Sequence, residues 1–181
     1  MSYIYILPIE PIDAPVLDFL EGALFQAFQI KVKFDNRKID ASTAYDQKRN
    51  QYNSSNLLSQ IIMKPPSDSV RLLGVTDADL FIPIFTFLFG EAQLDGPGAI
   101  ISTQRLHNRF YGLPDNQKLL LERAKKEAIH ELGHTFGLVH CFDPFCVMRL
   151  STYVEDVDQK TAEFCNNCRS ILIPKLHLLT R

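Results

Sequence analysis

No stretch of this chain is apolar for long enough to cross a bilayer. The longest candidate, around Leu80 to Phe89, is broken by Pro83 and falls well short of the roughly 20 residues a spanning helix requires. The N-terminus lacks the charged, apolar and small-residue succession of an export leader, so a soluble, unprocessed chain is expected. Neither sign of charge dominates: 19 Lys and Arg face 21 Asp and Glu, for a formal net charge of -2. That balance offers no field to gather phosphates or an anionic membrane surface, and neither nucleic acid nor membrane is expected as a partner. There is no internal repeat and no low-complexity tract. There is also no cysteine before Cys141; all four lie between Cys141 and Cys168. Without an export leader, that clustering favours metal over disulfides and places the chain in a reducing, cytoplasmic compartment.

What is present is enough for one core. At 181 residues and 46% hydrophobic content, two independent cores would each be small, so a single domain is expected; a monomer is expected as well. Tyr3 to Ile6 reads as a strand. Asp13 to Phe28 carries Val16, Leu17, Leu20, Leu24 and Phe28 at helical spacing, and Ile30 to Phe34 alternates apolar and basic residues as a half-buried strand does. Residues 35–56 turn polar, with little periodicity, and read as a long surface loop whose Lys48 and Arg49 form a solvated face. A short helix from Leu57 to Met63 stops at Pro65 and Pro66, and strands are expected at Val70 to Val75, Phe81 to Phe89 and Ala99 to Ser102. Asp115 to Leu138 is the longest helical pattern, with Leu121, Ala124, Ala128, Leu132 and Phe136 at core spacing and Gly137 marking its end.

On that helix stand His130, Glu131 and His134, an H-E-x-x-H pattern. A helix turns about 100° per residue, so two imidazoles four apart project from one face and can share a zinc ion. Glu131 lies to the side of that face, where it can reach a metal-bound water without ligating the metal. The pattern continues: Gly137 follows His134 by three residues and His140 follows Gly137 by three. Were the helix to run on, His140 would lie roughly 9 Å further along the axis and could not join the same tetrahedron. A chain that turns at Gly137, where positive φ costs little, brings His140 back. A bare H-E-x-x-H can be two ordinary helix histidines, but the complete string fixes five positions. Three histidine ligands leave a fourth position for water, as catalytic zinc requires, with Glu131 as general base.

Cys141 and Cys146, then Cys165 and Cys168, have the spacing of a Cys₄ zinc site, with two disulfides or simple reduced thiols as the alternatives. Four thiolates close the coordination shell, so this second Zn²⁺ would order the C-terminal segment rather than do chemistry. His107 and His177 stand alone and are assigned no metal. Asp77 and Asp79 read as turn or cap residues.

The string from His130 to Cys168, H-E-L-G-H-T-F-G-L-V-H-C, then Cys146-Val147-Met148 and Cys165-Asn166-Asn167-Cys168, closely resembles the archaemetzincin family of metzincin zinc metallopeptidases. The resemblance implies an α/β (α+β) fold of the metzincin-like zincin type. Its parts are a twisted, mostly parallel sheet with one antiparallel edge strand, an active-site helix and a small zinc-stapled C-terminal subdomain. It divides the single domain 1–181 into an N-terminal subdomain 1–137, with sheet and helix, and a C-terminal subdomain 138–181. Met148 would form the hydrophobic floor of the catalytic zinc. Position 150, where many metzincins carry a tyrosine, is Leu150, and Tyr153 is read as a surface or packing residue. The edge strand is expected at about Ile84 to Gly90. The function implied is hydrolysis of peptide bonds in peptides or unfolded protein segments, endopeptidase or aminopeptidase undecided. The competing reading is a catalytically silent or latent zinc protein with a structural or partner-binding role.

Overall fold

The computed structural model describes residues 2–179. A central sheet is built from β1 (Tyr3–Ile9), β2 (Val32–Phe34), β5 (Ser69–Thr76), β8 (Gly90–Ala92) and β9 (Gly98–Ser102), in spatial order β2-β1-β5-β9-β8. The β1/β2, β1/β5 and β5/β9 pairs are parallel, and β8 runs antiparallel to β9 at the edge. This is the mostly parallel sheet with one antiparallel edge strand that the resemblance implied.

The sheet is buried on both faces, and the alternation of its strands shows how. Ile4, Ile6, Leu73, Val75, Ala99 and Ile101 face a core shared with α1 (Ala14–Phe28) and α3 (Gln117–Thr135). Tyr5, Leu7, Ile9, Leu72 and Ile100 face the other side, against Leu57, Leu58 and Ile61 of α2 (Ser54–Ile62). Period-two side-chain direction thus makes one sheet the middle of three layers. Asp13 precedes α1 as its N-cap residue, and Asn53 and Asn116 cap α2 and α3 through side-chain oxygens that accept from Asn56 and Leu119 N–H.

Three expectations need correction. Residues 35–56 are not one loop: they contain a 3-10 turn, Ala41–Ala44, and two short strands, β3 (Tyr45–Asp46) and β4 (Gln51–Asn53). These join β6 (Leu80–Ile82) and β7 (Phe85–Leu88) in a second sheet of order β3-β4-β6-β7. Arg49 is not a solvated face either. Its guanidinium donates to the carbonyls of Phe85 and Thr86 and lies over the Phe81 ring at 4.2 Å. Finally, the antiparallel edge strand is Gly90–Ala92 rather than Ile84 to Gly90, because the chain bends at Phe89 and leaves the small sheet for the large one.

Beyond α3 the chain forms α4 (Val154–Gln159) and α5 (Asn166–Leu179). Lys175 of α5 reaches back to Asp95, 2.8 Å away, in the turn between β8 and β9. No helix among the described residues is long and apolar enough to cross a membrane.

Candidate active site

Helix α3 packs Leu120, Ala124, Ala128 and Leu132 into the core, turns Glu131 toward β8, and turns His130 and His134 toward the segment after the helix. The helix stops where the sequence predicts. Gly137 has φ +82°, its N–H donates to His134 O at 2.8 Å, and Leu138 N–H donates to Gly133 O at 3.1 Å. That pair of bonds is a Schellman closure, which requires a left-handed residue and reverses the chain.

The reversal delivers His140 to the other two histidines. Ring centroids are 4.6 Å apart for His130 and His134, 4.9 Å for His134 and His140, and 5.4 Å for His130 and His140. One ring nitrogen of each lies within 4.8 Å of the others. The tautomers follow from the outer partners. His130 Nδ1 is 2.8 Å from Val147 O and His134 Nδ1 is 2.7 Å from Leu138 O. Carbonyl oxygens only accept, so both Nδ1 atoms carry the proton and both Nε2 atoms are bare. Those Nε2 atoms face each other at 3.1 Å. Two unprotonated lone pairs at that separation repel unless a cation lies between them, and this donor set fits zinc. Burial also lowers the pKa of all three imidazoles, that of His130 well below its ordinary value, so they are held in the neutral form a ligand needs.

Glu131 is buried, 6% exposed, beside this cluster. Desolvation drives its carboxyl well above the ordinary carboxylate range; the charge of Glu127 pushes the same way and Lys160 opposes it. Lys160 is itself fully buried. It pairs with Glu127 at 2.9 Å and donates to Arg149 O at 3.3 Å, tying the helix one turn below Glu131 to the residue after Met148. Sequence reasoning missed this pair, since nothing in the neighbourhood of Lys160 marks it as buried.

Met148 is completely buried. A side chain on Gly133 would place its Cβ 2.5 Å from Met148 Sδ, so the helix lacks a side chain where the thioether lies. Val147 supplies the carbonyl that orients His130, and Met148 O accepts from Cys141 N–H at 2.9 Å. The four sulfurs converge separately. Cys141 and Cys165 are 3.7 Å apart, as are Cys146 and Cys168, and all lie within 4.8 Å of one another. A disulfide would hold sulfurs about 2.05 Å apart; these are free thiols with the spread of ligands around one ion.

The free edge of β8 flanks the site. Phe89 O and Gln93 N–H bond to β9, through Ser102 N–H at 2.8 Å and Gly98 O at 3.0 Å. In an antiparallel ladder those directions alternate, so the N–H and C=O of Gly90 and Ala92 point away from β9. Of the other residues weighed from sequence, Tyr153 and Leu150 are exposed. Asp77 accepts from Thr103 and lies 3.1 Å from His107, and Asp79 forms a two-pronged ion pair with Arg105. These aspartates serve ion pairs rather than caps, and no metal cluster forms around them among the described residues.

Comparison with known proteins identifies relatives over most of the chain. The model of "Peptidase family M54" matches residues 28–173. The archaemetzincin of Pyrococcus furiosus is 42% identical over 91% of this chain and 89% of its own length, and that of Methanocaldococcus jannaschii is 40% identical over the same shares. Among solved structures, the archaemetzincin of Methanopyrus kandleri superposes with a TM-score of 0.84 at 33% identity, covering 97% of this chain and 96% of that one. The archaemetzincin of Archaeoglobus fulgidus, in complex with malonate, gives 0.81 at 37% identity, over 94% and 99%.

Proposed function

Because the chain belongs to peptidase family M54 and is a zinc metallopeptidase of the archaemetzincin kind, we propose that His130, His134 and His140 hold its catalytic zinc and that Glu131 is the general base of peptide-bond hydrolysis. The observation that carries this reading is the facing pair of bare Nε2 atoms of His130 and His134, each oriented by a carbonyl behind it, with His140 brought beside them and a buried carboxyl adjacent. Bound zinc supplies a Lewis acid and lowers the pKa of the water it carries toward neutrality. Glu131 takes a proton from the attacking water and returns it to the leaving amine. Met148 packs beneath the three imidazoles as an apolar floor, and Gly137 makes the turn that returns His140. The outward N–H and C=O of Gly90 and Ala92 pair with the backbone of an extended peptide, giving β8 the part of a strand template.

Cys141, Cys146, Cys165 and Cys168 hold a second zinc whose four thiolates leave no place for water, so it orders the C-terminal subdomain, residues 138–181, against the N-terminal subdomain, residues 1–137. The substrates are peptides or unfolded protein segments. The enzyme acts as a monomer in a reducing, cytoplasmic setting, where free thiols are maintained.

Glu131→Ala tests the mechanism. Zinc content and melting temperature should stay near wild type while hydrolysis of a peptide library, presented with free and with blocked N-termini, falls at least about a hundredfold. Equal cleavage by wild type and variant would refute Glu131 as the base. A wild-type protein, fully loaded with zinc, that cleaves nothing in the library would favour the silent zinc-protein reading instead.

A further inference from the structure

The N-terminal end of the edge strand carries a second, less visible part of the site. A Cβ built on Gly90 would lie 2.6 Å from Glu131 Cγ and 2.8 Å from both Glu131 Cδ and Oε1. Real Cβ atoms do not approach other heavy atoms so closely. The glycine is not there for its backbone, since positive φ among the glycines occurs only at Gly112 and Gly137 among the described residues. Any residue could adopt the extended conformation at position 90; only the space forbids one. The other sheet glycines differ in what fills that space. At Gly74 the nearest atom is Ile61 Cδ1 and at Gly98 it is Ile62 Cγ2, both ordinary apolar packing, whereas at Gly90 all three nearest atoms belong to Glu131.

We propose that Gly90 is a positioning residue for hydrolysis, the missing side chain on β8 forming the seat that holds the Glu131 carboxylate beside the histidine cluster. This rests on the assignment of Glu131 as the base. Gly90 also faces the free edge, where its N–H and C=O are directed outward. One residue therefore sets two relations at once: the base lies against its Cα, and a substrate strand paired with the edge bonds to its backbone. Filling the seat moves the base relative to the peptide. Glu131 has little freedom to yield, because its helix is packed on the core and the side chain is buried between α3 and β8.

The experiment is a set of variants of the full, zinc-loaded chain. Gly90→Ala should bind zinc as wild type does, lower the melting temperature, and reduce kcat by roughly tenfold to a hundredfold, the scale of a displacement near 1 Å at a catalytic group. KM should change far less than kcat. In the Glu131→Ala background, where Cγ, Cδ and Oε1 are gone, Gly90→Ala should no longer lower the melting temperature. Should Gly90→Ala not fold, recovery of folding in the Gly90→Ala, Glu131→Ala double variant supports the seat, and failure of the double variant overturns it. An unchanged kcat for Gly90→Ala, or an equal loss of melting temperature in both backgrounds, also overturns it. Retention of activity by Glu131→Ala alone would instead refute the base assignment, with the stability comparison still reporting on the contact.

Discussion

The histidine cluster and the cysteine cluster are built from adjacent residues, yet they are assembled in opposite ways. The histidines borrow rigidity. His130 and His134 are fixed by a helix 19 residues long, their outer nitrogens are held by carbonyls, and only His140 depends on the course of the chain beyond. The cysteines come from a loop and from the start of α5; their neighbours Val147, Met148, Phe164 and Leu172 reach the core, but no single long element sets the spacing of the four sulfurs. A site built on a finished scaffold can leave a coordination position open. One whose ligands are otherwise poorly fixed is better closed, because its metal supplies the order.

The sharpest way to break that contrast is to remove one ligand from each cluster. Cys168→Ser should collapse the order of residues 138–179, seen as a large loss of melting temperature and rapid proteolysis near the C-terminus, since structural zinc contributes on the order of 10 kcal/mol in small domains. His134→Ala should abolish peptide hydrolysis and lose one zinc while the sheet and helices survive, with near-native far-UV circular dichroism. Similar damage from both variants would mean that the histidine site, too, is structural.

Acid should separate the clusters next. The lowered pKa of each folded imidazole means that the unfolded chain takes up protons first as pH falls. The stability held by the neutral histidines is therefore complete above their ordinary value of about 6.5 and is lost as pH drops through the lower folded values. Hydrolysis and one equivalent of zinc should vanish together in that window, followed by colorimetric release against a competing chelator. Occupancy at the histidines that stays flat down to about pH 4 would contradict imidazole ligation.

The smallest effect expected is at Gly137. Gly137→Ala forces a side chain into φ +82° and sets its Cβ against Lys175 Nζ, at a cost of about 1–2 kcal/mol for the left-handed backbone alone. Because His140 lies just beyond that turn while three of the four thiolates come from later segments, zinc at the histidines should weaken more than zinc at the thiolates. Calorimetric titration of each site would show it, and equal weakening of both would blur the distinction.

Both donor sets were legible in the sequence because ligand chemistry admits few residue types and the helix fixes their spacing. The active-site helix was legible as well, since its periodicity runs from Leu121 to Phe136 and Gly137 ends it. The edge strand was misplaced for a physical reason: residues 80–92 form one nearly unbroken apolar run, and the bend at Phe89 that divides it between two sheets is dictated by packing on α3, not by a turn residue. Strands β3 and β4, two and three residues long, have too little sequence to show any alternation. The role of Gly90 left a faint trace, for an isolated glycine in a strand pattern marks close backbone approach, but nothing local says that Glu131 would be what approaches. The burial of Lys160 left none, since its partner Glu127 lies 33 residues earlier in the chain.

His140 and Cys141 are consecutive, and Met148 O holds Cys141 N–H. On the proposed assignment, an ion among the thiolates closes the loop that presents the third imidazole and removes the conformational entropy that the catalytic ion would otherwise have to overcome. Linkage then works in both directions: whatever factor the thiolate-bound ion adds to affinity at the histidines, the histidine-bound ion returns to the thiolates. Such a pair fills in sequence rather than independently, so partially metallated preparations should be poor in chains carrying only the catalytic zinc.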